Sequence, residues 1–247
     1  MRITEDVYLV GGGPSKAFGL SADPDCHIYL IDGGSELALI DCGMGTSLDQ
    51  IVTNIEREGL NIARLRTLIL THYHMDHAGG AARFREQFDL QVWAPREAAA
   101  ALRTGDECAV ALDVAKAAGF YAADYVFEPV AIDRELSEGD RVEIGDLSLE
   151  VFDTPGHCHG HASYLLWGRG RRYLFAADAV FAGGRVVLQN IHDFSIQQSA
   201  ASILKLAKLE FDSLLPGHGA IAVNEGQSHV RRAAEAVNQL FVPKNLD

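Results

Sequence analysis

Positive charge is what this sequence most lacks. Its 247 residues carry 21 Lys and Arg against 34 Asp and Glu, a formal net charge of −13. A surface this acidic repels phosphate backbones and anionic lipids, which argues against nucleic acid or membrane partners. Long apolar runs are missing too. None approaches the roughly 20 residues of a membrane span. The start, Met1-Arg-Ile-Thr-Glu-Asp6, has no apolar core of the length a secretory signal needs. The expected location is the cytoplasm. Cysteine is sparse: Cys26, Cys42, Cys108 and Cys158 are scattered and form no Cys-x-x-Cys pair. A chain of this size needs no disulfides, so free thiols are expected. Repeats, low-complexity tracts and Pro/Ser linkers are absent as well. Residues 1–247 are therefore expected to form a single domain.

What is present is ordinary globular material, 48% hydrophobic and 22% charged. Apolar runs predict strands at 7–10, 27–31 and 37–40, the last two flanking the turn Asp32-Gly-Gly-Ser35. Leu48, Ile51, Val52 and Ile55 recur at helical spacing and predict a helix over 47–58. Further strands are expected at 65–70, 92–93, 142–144, 147–152, 163–167, 173–175 and 213–215. Helices are expected at 81–88, 95–102, 195–209 and 225–241. Residues 104–126, rich in Ala, Asp and Gly, read as an insertion placed to lie over a site, with helical pieces such as 110–118. Each half runs strands first and helices after. That order suits an α/β fold of two packed sheets with helices outside.

The chemistry concentrates in His72-x-His74-x-Asp76-His77, directly after an apolar strand. In an extended segment His72 and His74 point to the same side. Gly79 and Gly80 mark a turn into a helix, which can swing Asp76 and His77 toward the same space. Imidazole nitrogen and carboxylate oxygen are the donors that zinc-like metals take. Burying these groups side by side without a metal would leave several polar atoms in need of partners. Three later residues each follow an apolar strand: His157 in Thr154-Pro-Gly-His157, Asp178 after Phe175-Ala-Ala, and His218 in Pro216-Gly-His-Gly219.

With Leu39-Ile-Asp-Cys-Gly43, these segments resemble the metallo-β-lactamase superfamily, in its glyoxalase II and lactonase-like branch. They span residues 39 to 219 in that family's order. The resemblance implies a four-layer αββα sandwich with a metal groove along one edge. It implies two divalent ions, zinc foremost, with manganese or iron as alternatives. The first would be held by His72, His74 and His157, and the second by Asp76, His77 and His218. Asp178 would bridge them, and Asp41 would orient a ligand from behind. Hydrolysis of a small ester, thioester or lactone by a hydroxide shared between the ions is the implied activity, with Asp76 or Asp178 relaying a proton.

His27 and His192 are candidates for touching a small-molecule substrate. His161 fits a structural hydrogen bond, and His229 a surface place on the last helix. Cys158 is read as a small space-filling side chain near the site. A homodimer is compatible with the chain. The family also contains a persulfide dioxygenase with a single iron, which would use His72, His157 and Asp178. β-Lactamases of the family generally lack the aspartate found at 178. A glyoxalase II would be expected to carry Lys or Arg clustered near its C-terminus, and none stands here.

Overall fold

The computed structural model describes residues 1–15 and 18–246. Its first sheet is built from β1 (Val7–Gly11), β2 (Ile28–Asp32), β3 (Leu37–Ile40), β4 (Leu65–Ile69), β5 (Gln91–Pro95) and β6 (Arg134–Leu136), paired in that order. The second runs β11 (Ser213–Pro216), β10 (Arg172–Ala177), β9 (Ala162–Trp167), β8 (Leu147–Asp153), β7 (Arg141–Ile144). The helices are α1 (Leu48–Arg57), α2 (Met75–Ala78), α3 (Ala81–Phe88), α4 (Arg96–Thr104), α5 (Leu112–Ala117), α6 (Ile196–Leu206) and α7 (Gly226–Asn238). Among the described residues no helix is long and apolar enough to cross a membrane.

The side-chain alternation of the strands builds the layers. On β2, Tyr29 and Ile31 enter the core between the sheets, while Ile28 and Leu30 join the cluster under α1, α3 and α4. On β10, Tyr173 and Phe175 face the first sheet, while Leu174 and Ala176 face α6 and α7. Both faces of these strands are buried, so they read as unbroken apolar runs. Each buried Leu, Ile or Phe contributes roughly 1.5–3 kcal/mol relative to exposure. Three stacked cores therefore give the expected αββα sandwich.

Topology sets where the loops meet. β3, β4 and β5 are mutually parallel, so their C-terminal ends share one edge of the first sheet. β9 is antiparallel to both β8 and β10, and β10 is parallel to β11. The C-terminal ends of β8, β10 and β11 thus share one edge of the second sheet. Two bonds tie the edges together: Tyr164 Oη donates to the Leu70 carbonyl at 2.6 Å, and the Ala162 amide donates to the Thr71 carbonyl at 2.9 Å.

Candidate metal centre

Five strand ends deliver the candidate residues. Asp41 follows β3, His72 and His74 follow β4, His157 follows β8, Asp178 follows β10 and His218 follows β11. Asp76 and His77 ride on the single turn of α2. Two backbones are bent to make this work. Asp41 has φ 62°, in the left-handed region that aspartate tolerates better than most residues. Ala177 has φ 42°, next to a register shift in the β10–β11 ladder. Such a bulge re-aims the residue that follows it, here Asp178.

The seven expected side chains converge in two overlapping groups. His74 Nδ1 stands 2.9 Å from His157 Nε2, and the ligand-type atoms of His72, His74 and His157 all lie within 4.8 Å of one another. The same holds for Asp76, His77 and His218, where His218 Nε2 is 3.1 Å from Asp76 Oδ2. Asp178 lies between them. Its Oδ2 is 3.5 Å from His157 Nε2, and its Oδ1 is 3.5 Å from His77 Nε2. Nε2 of His72, Nε2 of His77 and Oδ1 of Asp178 are buried without a hydrogen-bond partner.

The network behind them fixes which nitrogen carries the proton. Thr71 Oγ1 donates to Asp41 Oδ2 at 2.8 Å, so it accepts from His72 Nδ1–H at 3.0 Å. His77 Nδ1 donates to the same Asp41 oxygen at 2.8 Å. The inward Nε2 of neutral His72 is then a bare lone pair, and that of His77 becomes one when its ring sheds its second proton. Buried lone pairs aimed at one point, with carboxylates beside them, are a donor set that suits a borderline divalent cation.

A model of the metallo-β-lactamase superfamily matches residues 23–218. The chain belongs to that superfamily. Among curated relatives, a hydroxyacylglutathione hydrolase of Rhodopseudomonas palustris (strain BisB5) is 31% identical over 175 residues, 70% of this chain and 55% of that protein. This chain thus spans little more than half of that relative's length. An acyl-coenzyme A thioesterase of Gallus gallus is 31% identical over 209 residues, covering 78% of this chain and 72% of that one. Among solved structures, a subclass B3 metallo-β-lactamase of Bradyrhizobium japonicum superposes with a TM-score of 0.73 at 25% identity, covering 97% of this chain and 91% of that one.

In this superfamily member the electrostatics around the cluster divide sharply. Burial holds His72 and His157 well below the usual imidazole range, so both are neutral. Burial acts the same way on His77, but Asp178, Asp76 and Asp41 outweigh it and raise its pKa to about 9. Burial also opposes ionisation of Asp76, yet His77 and His218 hold its carboxyl well below the usual range. Three carboxylates around one imidazole make a place that favours positive charge.

His161 makes the structural bond expected of it. Its Nδ1 donates to Thr154 Oγ1 at 2.9 Å, and its Nε2 accepts the Asp178 amide at 3.1 Å. Burial lowers its pKa to about 3. His27 is buried, with Nδ1 2.9 Å from the Pro216 carbonyl and its ring stacked on Phe18 at 5.6 Å. It lies against the His218 segment, and burial lowers its pKa to about 4. His192 is exposed in a loop and makes no hydrogen bond to the cluster, while its neighbour Asp193 is fully buried. His229 departs from the expected surface place, being half-buried and accepting the Gly183 amide at 2.8 Å. The 104–126 segment does reach the site: Tyr121 Oη donates to Asp76 Oδ1 at 2.8 Å. No periodicity in the sequence singled out that tyrosine.

Asp41 gives a first prediction. It accepts bonds from the Thr71 amide, the Thr71 hydroxyl and His77. Asp41→Ala is expected to weaken zinc binding at the His77 group by about 10–100-fold, the usual cost of losing a partner behind a ligand. Zinc titration against a chelating dye measures this.

Proposed function

We propose that this chain is a metal-dependent hydrolase that binds two divalent cations and cleaves a small ester, thioester or lactone. The observation that carries the reading is the reach of Asp178, whose carboxylate lies 3.5–3.6 Å from histidines of both groups. His72, His74 and His157 would hold one ion and Asp76, His77 and His218 the other, with Asp178 between. Zinc is the first choice for this nitrogen-rich set, with manganese or iron as alternatives. Two such ions, when bound, supply a water of lowered pKa as nucleophile and polarise the carbonyl.

The chain's own groups do the rest. His72 and His157, held neutral by burial, need shed no proton to bind metal. Asp76 is kept ionised and is fixed on its outer side by Tyr121, so its inner Oδ2 can accept a proton from the nucleophile. His161 grips the Asp178 backbone and stays neutral, which holds that carboxylate in place without competing for its proton. The names of the two curated relatives, hydroxyacylglutathione hydrolase and acyl-coenzyme A thioesterase, favour a thioester within the wider class. Four free thiols suit a reducing compartment such as the cytoplasm.

The test is to load the stripped chain with zinc, manganese or iron, count ions by native mass spectrometry, and assay thioesters, lactones and β-lactams. Two ions per chain and thioester or lactone hydrolysis are expected, with activity abolished by chelation. Full hydrolysis by metal-free protein, or a single iron with oxygen consumption, would sink the reading.

A further inference from the structure

One buried carboxylate near the centre has no use in this scheme. Asp193 lies in the loop before α6 and is 0% exposed. Tyr73 donates its hydroxyl to Oδ2, and Oδ1 has no hydrogen-bond partner. A carboxylate removed from water with one oxygen idle is costly unless something nearby supplies a donor.

His74 is such a donor. Its Nδ1 is turned into the cluster, 2.9 Å from His157 Nε2. Its Nε2 is buried and unpartnered. If Nδ1 offers the lone pair, Nε2 must carry the hydrogen. A ring nitrogen of His74, a carboxylate oxygen of Asp193 and Cys158 Sγ lie within 4.8 Å of one another. The histidine thus has an orphaned N–H and the aspartate an orphaned oxygen, each lacking what the other provides. Cys158 is the third corner. A thiol sulfur is only a weak hydrogen-bond acceptor, so Cys158 is a poor rival to a carboxylate. The other half of the centre already has this arrangement, with Asp41 accepting from His77 Nδ1.

We propose that Asp193 is the positioning carboxylate of His74: it accepts the Nε2 proton, fixes the tautomer that turns the Nδ1 lone pair inward, and strengthens the grip of His74 on its ion. Tyr73 holds Asp193 in turn. Each ion would then have its own carboxylate–histidine pair, Asp41 behind one and Asp193 behind the other. The inference rests on the metal-centre reading above.

The experiment titrates zinc into stripped wild type, Asp193→Asn, Tyr73→Phe and Cys158→Ala against a chelating dye, and melts each metal-free form. In Asp193→Asn one of the two affinities is expected to fall about 10–100-fold while the other holds. Its metal-free melting temperature is expected to be unchanged or higher, because an underused buried charge has gone. Tyr73→Phe lowers the same affinity less, and Cys158→Ala leaves both intact. Unchanged affinities in Asp193→Asn overturn the inference. So does an equal fall of both affinities with loss of metal-free stability, or a fall in Cys158→Ala alone. If Asp193→Asn does not fold, Tyr73→Phe decides, and an unchanged affinity there overturns it. A wild type that binds one ion sinks the two-ion reading, yet the inference still stands or falls on whether Asp193→Asn weakens that ion. A wild type that binds none overturns both.

Discussion

Asp178→Asn is expected to lower hydrolysis by the zinc-loaded chain by about 10²–10⁴-fold, the scale of losing both a shared metal ligand and a proton relay. The chain is expected to stay folded. Asparagine keeps the size of the side chain, and the backbone amide that donates to His161 is untouched. What goes is the charge between the two groups. The Asp178 charge is the largest single influence that raises His77 to about 9, so the variant should also give up that proton at lower pH when metal-free. Native mass spectrometry should find fewer than two ions per chain, and nuclear magnetic resonance of the His77 ring should show the lowered pKa. An Asp178→Asn enzyme with two ions and wild-type turnover would remove the bridging role.

How much of this centre the sequence discloses depends on chain distance. His72, His74, Asp76 and His77 share one short segment, so their spacing alone shows that they can face one space. His157, Asp178 and His218 each follow a strand, but nothing local says that those strand ends meet β4. That follows from β8, β10 and β11 running parallel in the second sheet, and the family resemblance supplied it in advance. The loops are harder still. In the polar stretch Gln189–Asp193 the structure buries Asp193 and leaves His192, the residue the sequence offers as a candidate, in solvent. A loop has no period to show which neighbour turns inward. Tyr121 is hidden for the same reason.

The fold shows the same pattern. The long apolar strands and the amphipathic helices are legible because both are buried on predictable faces. β6 is not, since Arg134-Glu135-Leu136 is an edge strand with charged side chains, one of them an arginine over the Trp93 ring. α2 escapes as well. Four residues cannot establish a helical repeat, and its turn is tied instead by bonds such as the Cys42 amide to the His77 carbonyl.

Gly217→Ala is expected to damage the centre nearly as much as removing a ligand. In the sequence, Pro216-Gly217-His218 carries a candidate ligand after a strand, and the glycine itself has no assigned role. In the structure Gly217 is not among the residues with a left-handed φ, so its backbone is one that alanine could adopt. The constraint is space. A Cβ there would stand 2.2 Å from Asp178 Oδ1 and 2.8 Å from His77 Cε1. The backbone cannot easily retreat, because its amide donates to the Ala177 carbonyl at 2.8 Å and its carbonyl accepts the His27 amide at 2.7 Å. The carboxylate and the imidazole must yield instead. Overpacking of this kind costs about 1–3 kcal/mol of stability. The larger effect should be on function, a loss of about 10²-fold or more in turnover, since misplacement by about 1 Å is enough for that. Gly219→Ala is the control. Its φ of +76° makes alanine strained, but among the described residues its Cβ would meet only Leu246 Cδ1, at 3.8 Å. It should lose roughly 1 kcal/mol of stability and keep the wild-type zinc affinity. Zinc titration and melting of the two variants would separate them. Equal effects on metal affinity would overturn the claim that the space at 217, beside Asp178 and His77, is what the motif protects.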